Sequence, residues 1–437
     1  MRFFGVQIGF TVLVALVYRK LGKEYSLAHW LLTNGNLYIY FASLISILEQ
    51  GEQKNKSKKN ENTNLESISS NLNFTVEKIR QVKLFKQKLS YTFIHKADYF
   101  EDFTTQIDAC LLALLVSVFT QILFYISPSS QETQINLALF WLLGLLLNLV
   151  YRSSKILLIY FTETLSYELS LCIFFGLIYF LLAFVILSIP STRQELNIGE
   201  LETSLFLIFE DFNVTKHPTT ELQSNYDVYI RFIISLFSAF VGMALLFPSN
   251  RIAKCHTRRI QMYHNSFPSY LWYQLVFWLP IIPCIFWIPI TGREMLAEGS
   301  HGIIDIQTFI IIRKICFPLV VCIRLISFQA YLQAFLERPN DILNSLQAKN
   351  SRINGLLLYS TLVLPNSYIS MVAIQCTVLP CFVLCFTMLA WFLSAFSTAS
   401  YTCLFHLCVF YSWWCCMTSM MSSVIALLYQ NYIESKD

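Results

Sequence analysis

The chain is expected to be all-α, a polytopic integral membrane helical bundle of about nine spans, eight to ten by the boundaries chosen, with proline-kinked helices. Three observations carry that expectation. The 437 residues are 55% hydrophobic and only 13% charged, with a mean hydropathy of +0.53. A soluble domain carries about 25% charged residues, so this chain lacks the polar surface to cover itself in water. Apolar runs of about 20 residues, the length that crosses a hydrocarbon core of about 30 Å, recur along it. The loops between them alternate between basic and acidic. Open sheet edges are not tolerated in lipid and the runs are too long for barrel strands, which leaves helices.

The runs are Phe3 to Tyr18, Ile107 to Ile126, Ile135 to Phe161, Leu169 to Ile189, Val228 to Phe247, Tyr270 to Ile290, Lys314 to Leu336, Tyr368 to Phe396 and Tyr401 to Tyr429. The first has no cleavage site and carries Arg19 and Lys20 on its C-terminal flank, so it reads as a retained anchor rather than a signal peptide. Leu27 to Leu48 is uncharged and long enough to span, but Asn34, Gly35 and Asn36 at its centre favour a break and an interfacial or re-entrant segment. Residues 1–48 therefore form an N-terminal anchor with that segment. Residues 49–105 form a basic cytosolic linker, with the Lys54 to Lys59 cluster, followed by an amphipathic helix over Val76 to Lys96 with Ile79, Val82, Leu89 and Phe93 on one face. Residues 106–437 form the transmembrane bundle.

Basic residues gather in every second loop: Arg19 through Lys96, then Arg152 and Lys155, then Arg251, Lys254, Arg258 and Arg259, then Arg338, Lys349 and Arg352, and finally Lys436. The opposite loops hold Glu132, then Glu195, Glu200, Glu202, Glu210 and Asp211, then Glu294, Glu298 and Asp305. The positive-inside rule puts the basic loops and the C-terminus in the cytosol. Asn213, in the sequon Asn213, Val214, Thr215, then faces the lumen or exterior as a candidate glycosylation site, and the sequons at Asn55 and Asn73 stay inside. An ER or plasma membrane of the secretory pathway is the expected location.

Chemistry-bearing patterns are sparse. The 13 cysteines lie in apolar runs except Cys255, the usual setting of a cysteine that packs as a small hydrophobe, and no spacing suggests a metal site or another cofactor. No phosphate loop, HExxH or nucleophile elbow is present, so an enzyme is the least supported class, and nothing points to nucleic acid. Asp108, Glu163 and Glu168 lie near cytosolic ends, where water is available, and His406 reads as packed or headgroup-facing. Pro280 and Pro283 in one run, with Pro318 and Pro380 in the next two, are candidate helix breaks, because each removes an amide donor. Ser412, Ser419 and Ser423, and the pair Ser238 and Gly242, read as helix-packing positions.

Arg324 stands apart. It falls near the middle of its run, where a guanidinium costs about 2.5 to 3.5 kcal/mol on insertion scales, so it should face the bundle or a watery cavity. Residues 313, 317, 320, 324, 328 and 331 share one helical face, since 11 residues make about three turns. Arg313 and Arg324 therefore point the same way, without the three-residue arginine repeat of a voltage sensor. Freed carbonyls, Asn148 or Gln274 are the structural partners available, and an anion or lipid headgroup is the alternative.

The runs YSLAHWLLTNG from Tyr25 to Gly35, SAFVGMALLFPSNRIAKCH from Ser238 to His256, and RLISFQAYLQAFL from Arg324 to Leu336 resemble signature stretches of the transmembrane protein 161 family. Trp413, Trp414 and LYQNY at Leu428 to Tyr432 add to the likeness. The resemblance implies a multi-pass membrane protein linked to control of ion currents and to stress responses, with no catalytic residues to carry over. Arg313 and Arg324 resemble a pair at the same spacing in that family. Two functions are consistent with this: a non-catalytic regulator or scaffold for membrane channels or signalling proteins, or a channel or transporter for a small anion using Arg324. The lipid bilayer is a partner in both.

The loop charges give a direct test. Single reporter cysteines at Ser69 and Thr203, treated with an impermeant thiol reagent on intact cells, should label at Thr203 and not at Ser69. The reverse pattern would overturn the orientation.

Overall fold

The computed structural model describes residues 2–42, 73–74, 84–95, 97–126, 137–162, 166–195, 198–203, 205, 220–263, 266–288, 305–349, 353–354, 364–394 and 399–434. Asn213, Asn55, Glu163 and the Lys54 to Lys59 cluster lie outside the described residues. In chain order the elements are α1 (Arg2–Tyr25), α2 (Leu27–Thr33), β1 (Tyr38–Ala42), β2 (Asn73–Phe74), β3 (Leu84–Lys88), α3 (Tyr91–Ile94), α4 (Phe100–Ile126), α5 (Leu137–Thr162), α6 (Ser166–Ser188) and α7 (Pro190–Glu195). There follow α8 (Thr220–Met262), α9 (Phe267–Trp278), α10 (Ile281–Phe286), α11 (Ile306–Leu336), α12 (Arg338–Lys349), β4 (Ile353–Asn354), α13 (Leu364–Ser367), α14 (Ile369–Leu393) and α15 (Ala399–Glu434).

Among the described residues, six helices are long and apolar enough to cross a membrane: Phe100–Ile126, Leu137–Ile159, Glu168–Ser188, Asp227–Met262, Ile369–Leu393 and Tyr401–Tyr432. Three expected runs are not in that set. Phe3 to Tyr18 lies in α1 and Lys314 to Leu336 in α11, while Tyr270 to Ile290 is divided between α9 and α10. The apolar span of α14 is 94% buried and that of α6 only 22%. The exposed side chains of α6 include Phe174, Leu177, Leu181 and Val185, an apolar face that only lipid or another apolar surface covers favourably.

The chain divides into two compact units. The first comprises Met1–Glu24, Thr105–Ser327 and Gln375–Asp437. Its core is the packing of α8 on α6 and α15, and small residues set the approach. A side chain at Gly242 would put its Cβ 2.7 Å from Cγ of Tyr179. Tyr179 is fully buried and its hydroxyl is bonded to Ser422. The seam between α8 and α15 is stitched by Trp414 Nε1 to Ser238 O at 2.8 Å, Tyr411 OH to Ile234 O at 3.1 Å and Ser249 Oγ to Ser419 Oγ at 3.0 Å. Ser412, Thr418 and Ser422 donate to carbonyls one turn back in α15 itself, so they carry no unmet donor into the interface.

α8 runs on well past Phe247. Its 43 residues pass through Pro248 and include Arg251, Lys254, Arg258 and Arg259, which had been expected in a loop. The hydroxyls of Ser419 and Ser423 engage Ser249 Oγ and O, immediately after the proline. Pro318 and Pro380 likewise sit inside unbroken helices, α11 and α14, and do not end them, contrary to expectation. Asp108 is also not at a wet boundary: it is 3% exposed and accepts from Tyr18 OH at 3.0 Å.

The second unit comprises Tyr25–Thr104 and Phe328–Ile374. Leu27 to Leu48 does break at its centre. Ser26 caps α2 by accepting from the amides of Ala28 and His29, Gly35 takes a left-handed φ of 86° that favours glycine, and the chain continues as β1. The amphipathic helix expected over Val76 to Lys96 is corrected in its described part to strand β3 and the short α3. β1 pairs antiparallel with β3, Tyr40 opposite Lys86, and Lys86 Nζ lies 4.4 Å from the Tyr38 ring centre. β2 pairs with β4, Asn73 opposite Asn354. Side chains supply what helix and strand leave unpaired. Gln333 accepts from Tyr38 N and donates to Tyr38 O, Asn366 donates to Tyr40 O, and Gln329 donates to Leu31 O in the last turn of α2.

Among the described residues, two glycines meet a neighbouring side chain and offer a test of the packing. Gly242→Ala drives a methyl group into the pinned Tyr179 ring and should cost about 1 to 3 kcal/mol. Gly176→Ala meets Met243 Sδ, a flexible side chain, at 2.7 Å and should cost less. Thermal melting of the purified variants in detergent ranks the two; equal melting would refute this account of the seam.

Candidate functional site

The site begins with two missing amides. Pro280 and Pro283 cannot donate to the carbonyls four residues earlier, and the segment separates into α9, ending at Trp278, and α10, starting at Ile281. The turn between them tightens: Leu279 N still reaches Leu275 O at 2.9 Å, but Ile282 N turns to Leu279 O at 3.1 Å, a three-residue rather than a four-residue step. Leu279 O is the carbonyl that Pro283 would have left without a donor. Two other carbonyls of the broken segment are taken by distant side chains. Arg324 Nη2 donates to Phe277 O at 3.3 Å, and Trp413 Nε1 donates to Cys284 O at 3.4 Å.

Arg324 is 5% exposed. It comes from the α11 face that also carries Phe317, Val320, Phe328 and Tyr331, all buried, while Ile326 on the other side of α11 is 71% exposed. Its charge meets the last turn of α9, where the unpaired carbonyls concentrate the negative end of the helix dipole. The Phe277 ring stacks on His256 of α8, with centroids 4.0 Å apart and planes 14° apart. The residue whose carbonyl receives the guanidinium is therefore held by its ring as well.

Arg313 serves the other end of the same broken segment. Its guanidinium carbon lies 3.8 Å from the ring centre of Trp287, the C-cap of α10, and 5.3 Å from that of Phe309, one turn earlier in α11. Such stacking contributes about 0.5 to 2 kcal/mol, depending on desolvation. The structure thus brings Arg313, Arg324, Pro280 and Pro283 into one arrangement, and leaves Pro318 and Pro380 out of it. It also adds residues that sequence reasoning did not single out here: Phe277, Trp287 and His256. The FxxxR spacing of Phe309 and Arg313 was the one local signal for any of these contacts.

A second polar group caps the α6, α8 and α15 ends of the first unit. Glu202 is buried and paired with both Arg193 and Arg231, the latter at 2.9 Å. His406 Nε2 lies 3.1 Å from Glu200 Oε2. The Glu202 pairs tie the 198–203 segment to α7 and α8, and the Glu200 contact ties it to α15, so His406 is packed against a carboxylate. Among the described residues, no group of three or more His, Cys, Asp or Glu residues has metal-binding geometry, and all 13 cysteines are free thiols.

Apolar helices of spanning length, and a proline-broken helix clamped by two arginines, define a polytopic α-helical integral membrane protein. The chain belongs to the family described as predicted transmembrane protein 161AB, whose profile it matches over residues 2–403. No solved structure matches it.

The clamp predicts an order of effects. Arg324→Gln, which removes a charged donor from a buried carbonyl, should cost about 1.5 to 3 kcal/mol. Arg313→Gln, which removes a half-buried stacking contact, should cost about 0.5 to 2 kcal/mol. Thermal unfolding in detergent measures both; a larger loss at Arg313 would show that the deeper contact is not the main one.

Proposed function

We propose that this protein is a non-catalytic membrane regulator or scaffold that alters channels or signalling proteins within the same bilayer, and does not itself conduct an anion past Arg324. The supporting observation is that the Arg324 guanidinium donates to the Phe277 carbonyl. A residue that completes the backbone of a broken helix has part of its binding capacity spent within the fold. The serine-bearing face of α15 supports the same reading, since it packs on α8 and α6 instead of lining a hydrated path. Family membership supports it through the implied link to ion currents.

The topology that accompanies this reading has about nine spans, the basic loops and the C-terminus in the cytosol, and Asn213 glycosylated on the other side. The membrane is that of the ER or the cell surface. The broad apolar faces of α4, α5 and α6, with Ile122, Phe140, Leu147, Phe174 and Leu181 exposed, are the surfaces through which a partner would be met in the membrane plane.

Purified protein in anion-loaded liposomes separates the two functions, with wild type compared against Arg324→Gln and Arg324→Lys, and with cell currents scored per surface molecule. The proposal expects no anion flux above empty liposomes. In cells, it expects wild-type effects on resident currents from whatever fraction of each variant reaches the surface. An anion flux that falls with either substitution would establish the transport function in its place.

A further inference from the structure

We propose that Arg259, Tyr263 and Tyr273 form a binding site for a phosphate monoester at the basic end of α8, separate from Arg324. Arg259 is 8% exposed. Its Nη2 donates to the hydroxyl oxygens of Tyr263 and Tyr273, at 3.3 Å each, and its guanidinium carbon lies 4.6 and 5.1 Å from the centres of their rings. Among the described residues no carboxylate pairs with it, and its Nε–H is buried without an acceptor. Guanidinium groups this far out of water are ordinarily paired with an anion.

The phenols complete the argument. Each oxygen accepts from the guanidinium, so each hydroxyl keeps its own O–H to donate, and among the described residues neither finds an acceptor. Three donors, the Nε–H and two phenolic O–H groups, are thus gathered around one positive charge. A neutral ligand would leave the charge uncompensated. A carboxylate offers two acceptor oxygens, whereas a phosphate monoester offers three, with a charge of about −1.5 to −2. Arg251, Lys254 and Arg258 lie on the same two turns of α8, and basic side chains near an anionic leaflet add to the attraction.

Depth along the helix selects the kind of phosphate. Arg231 and Arg251 are about 30 Å apart along α8 at 1.5 Å per residue, which matches the hydrocarbon core. Arg259 lies about 12 Å further on, past the layer where the phosphodiesters of ordinary lipids sit. A phosphate carried outward on a sugar headgroup reaches that level, and so does a soluble phosphate monoester. On the adjoining α9, Phe267 at 73% exposed, together with Leu271 and Trp272, presents the apolar and aromatic surface typical of a membrane boundary.

The test uses the full-length protein in phosphatidylcholine nanodiscs containing either phosphatidylinositol or phosphatidylinositol 4-phosphate, with bound lipid counted by native mass spectrometry. Wild type should retain the 4-phosphate in preference to the parent lipid. Arg259→Gln should abolish that preference. The double variant Tyr263→Phe, Tyr273→Phe keeps both rings and serves if Arg259→Gln fails to fold; it should weaken retention by about tenfold or more, the worth of one charge-assisted hydrogen bond. Soluble inositol 1,4,5-trisphosphate distinguishes the sources: displacement of the lipid assigns the site to phosphates in solution as well, and failure to displace assigns it to the membrane. Equal retention of both lipids by wild type, or wild-type retention by the tyrosine pair, would overturn the proposal.

Discussion

The hydrogen bond from Arg324 to the carbonyl of Phe277 joins two groups that are each costly to bury alone. A guanidinium this far out of water, 5% exposed, is expensive, and so is a buried backbone carbonyl without a donor. Brought together at the end of α9, each relieves the other. The rest of the first unit is arranged so that this meeting can occur: the face of α11 that carries the arginine is turned inward, His256 holds the Phe277 ring, and Trp413 of α15 takes the next exposed carbonyl at Cys284. Arg313 repeats the clamp where α10 ends, on Trp287.

The same constraint explains the second unit, where backbone groups at the end of α2 and the start of β1 are served by side chains. Gln329 and Gln333 are four residues apart, hence on one face of α11, and they engage Leu31 O and both polar groups of Tyr38. Two of the stretches that carry the family likeness, Tyr25 to Gly35 and Arg324 to Leu336, therefore contain both halves of the Gln329 contact to Leu31 O, and Tyr38 follows three residues after the first. The third, Ser238 to His256, contains the small residues and carbonyls against which α15 packs.

What could be read from the sequence follows a physical line. Six of the nine long apolar runs fall in described helices long and apolar enough to cross a membrane, because length and composition alone mark them, and the shared face of Arg313 and Arg324 follows from helical periodicity. The break at Asn34 to Asn36 was visible in local turn chemistry, as was that at Pro280. Partners distant in the chain were not visible. Asp108 finds Tyr18 across 90 residues, and Arg324 finds Phe277 across 47. β3 becomes a strand because β1 lies beside it, although its own sequence carried a partial helical stripe. Pro318 and Pro380 show the converse: a proline marks a place where a helix can break, and the neighbours decide whether it does.

The claim that Arg324 serves the proline break is tested most directly by a double-mutant cycle. One arm is Arg324→Gln; the other is Pro280→Ala with Pro283→Ala, which returns two amides to the segment and lets it run as one helix, where Phe277 O takes the amide of Ile281. Unfolding free energies of the four proteins in detergent give the coupling. If the arginine completes a backbone that the prolines leave open, the loss from Arg324→Gln should shrink when the amides are restored, by about 0.5 to 3 kcal/mol, the range for residues in one hydrogen-bonded network. Losses that simply add would contradict the account and mean that Arg324 is buried for some other purpose.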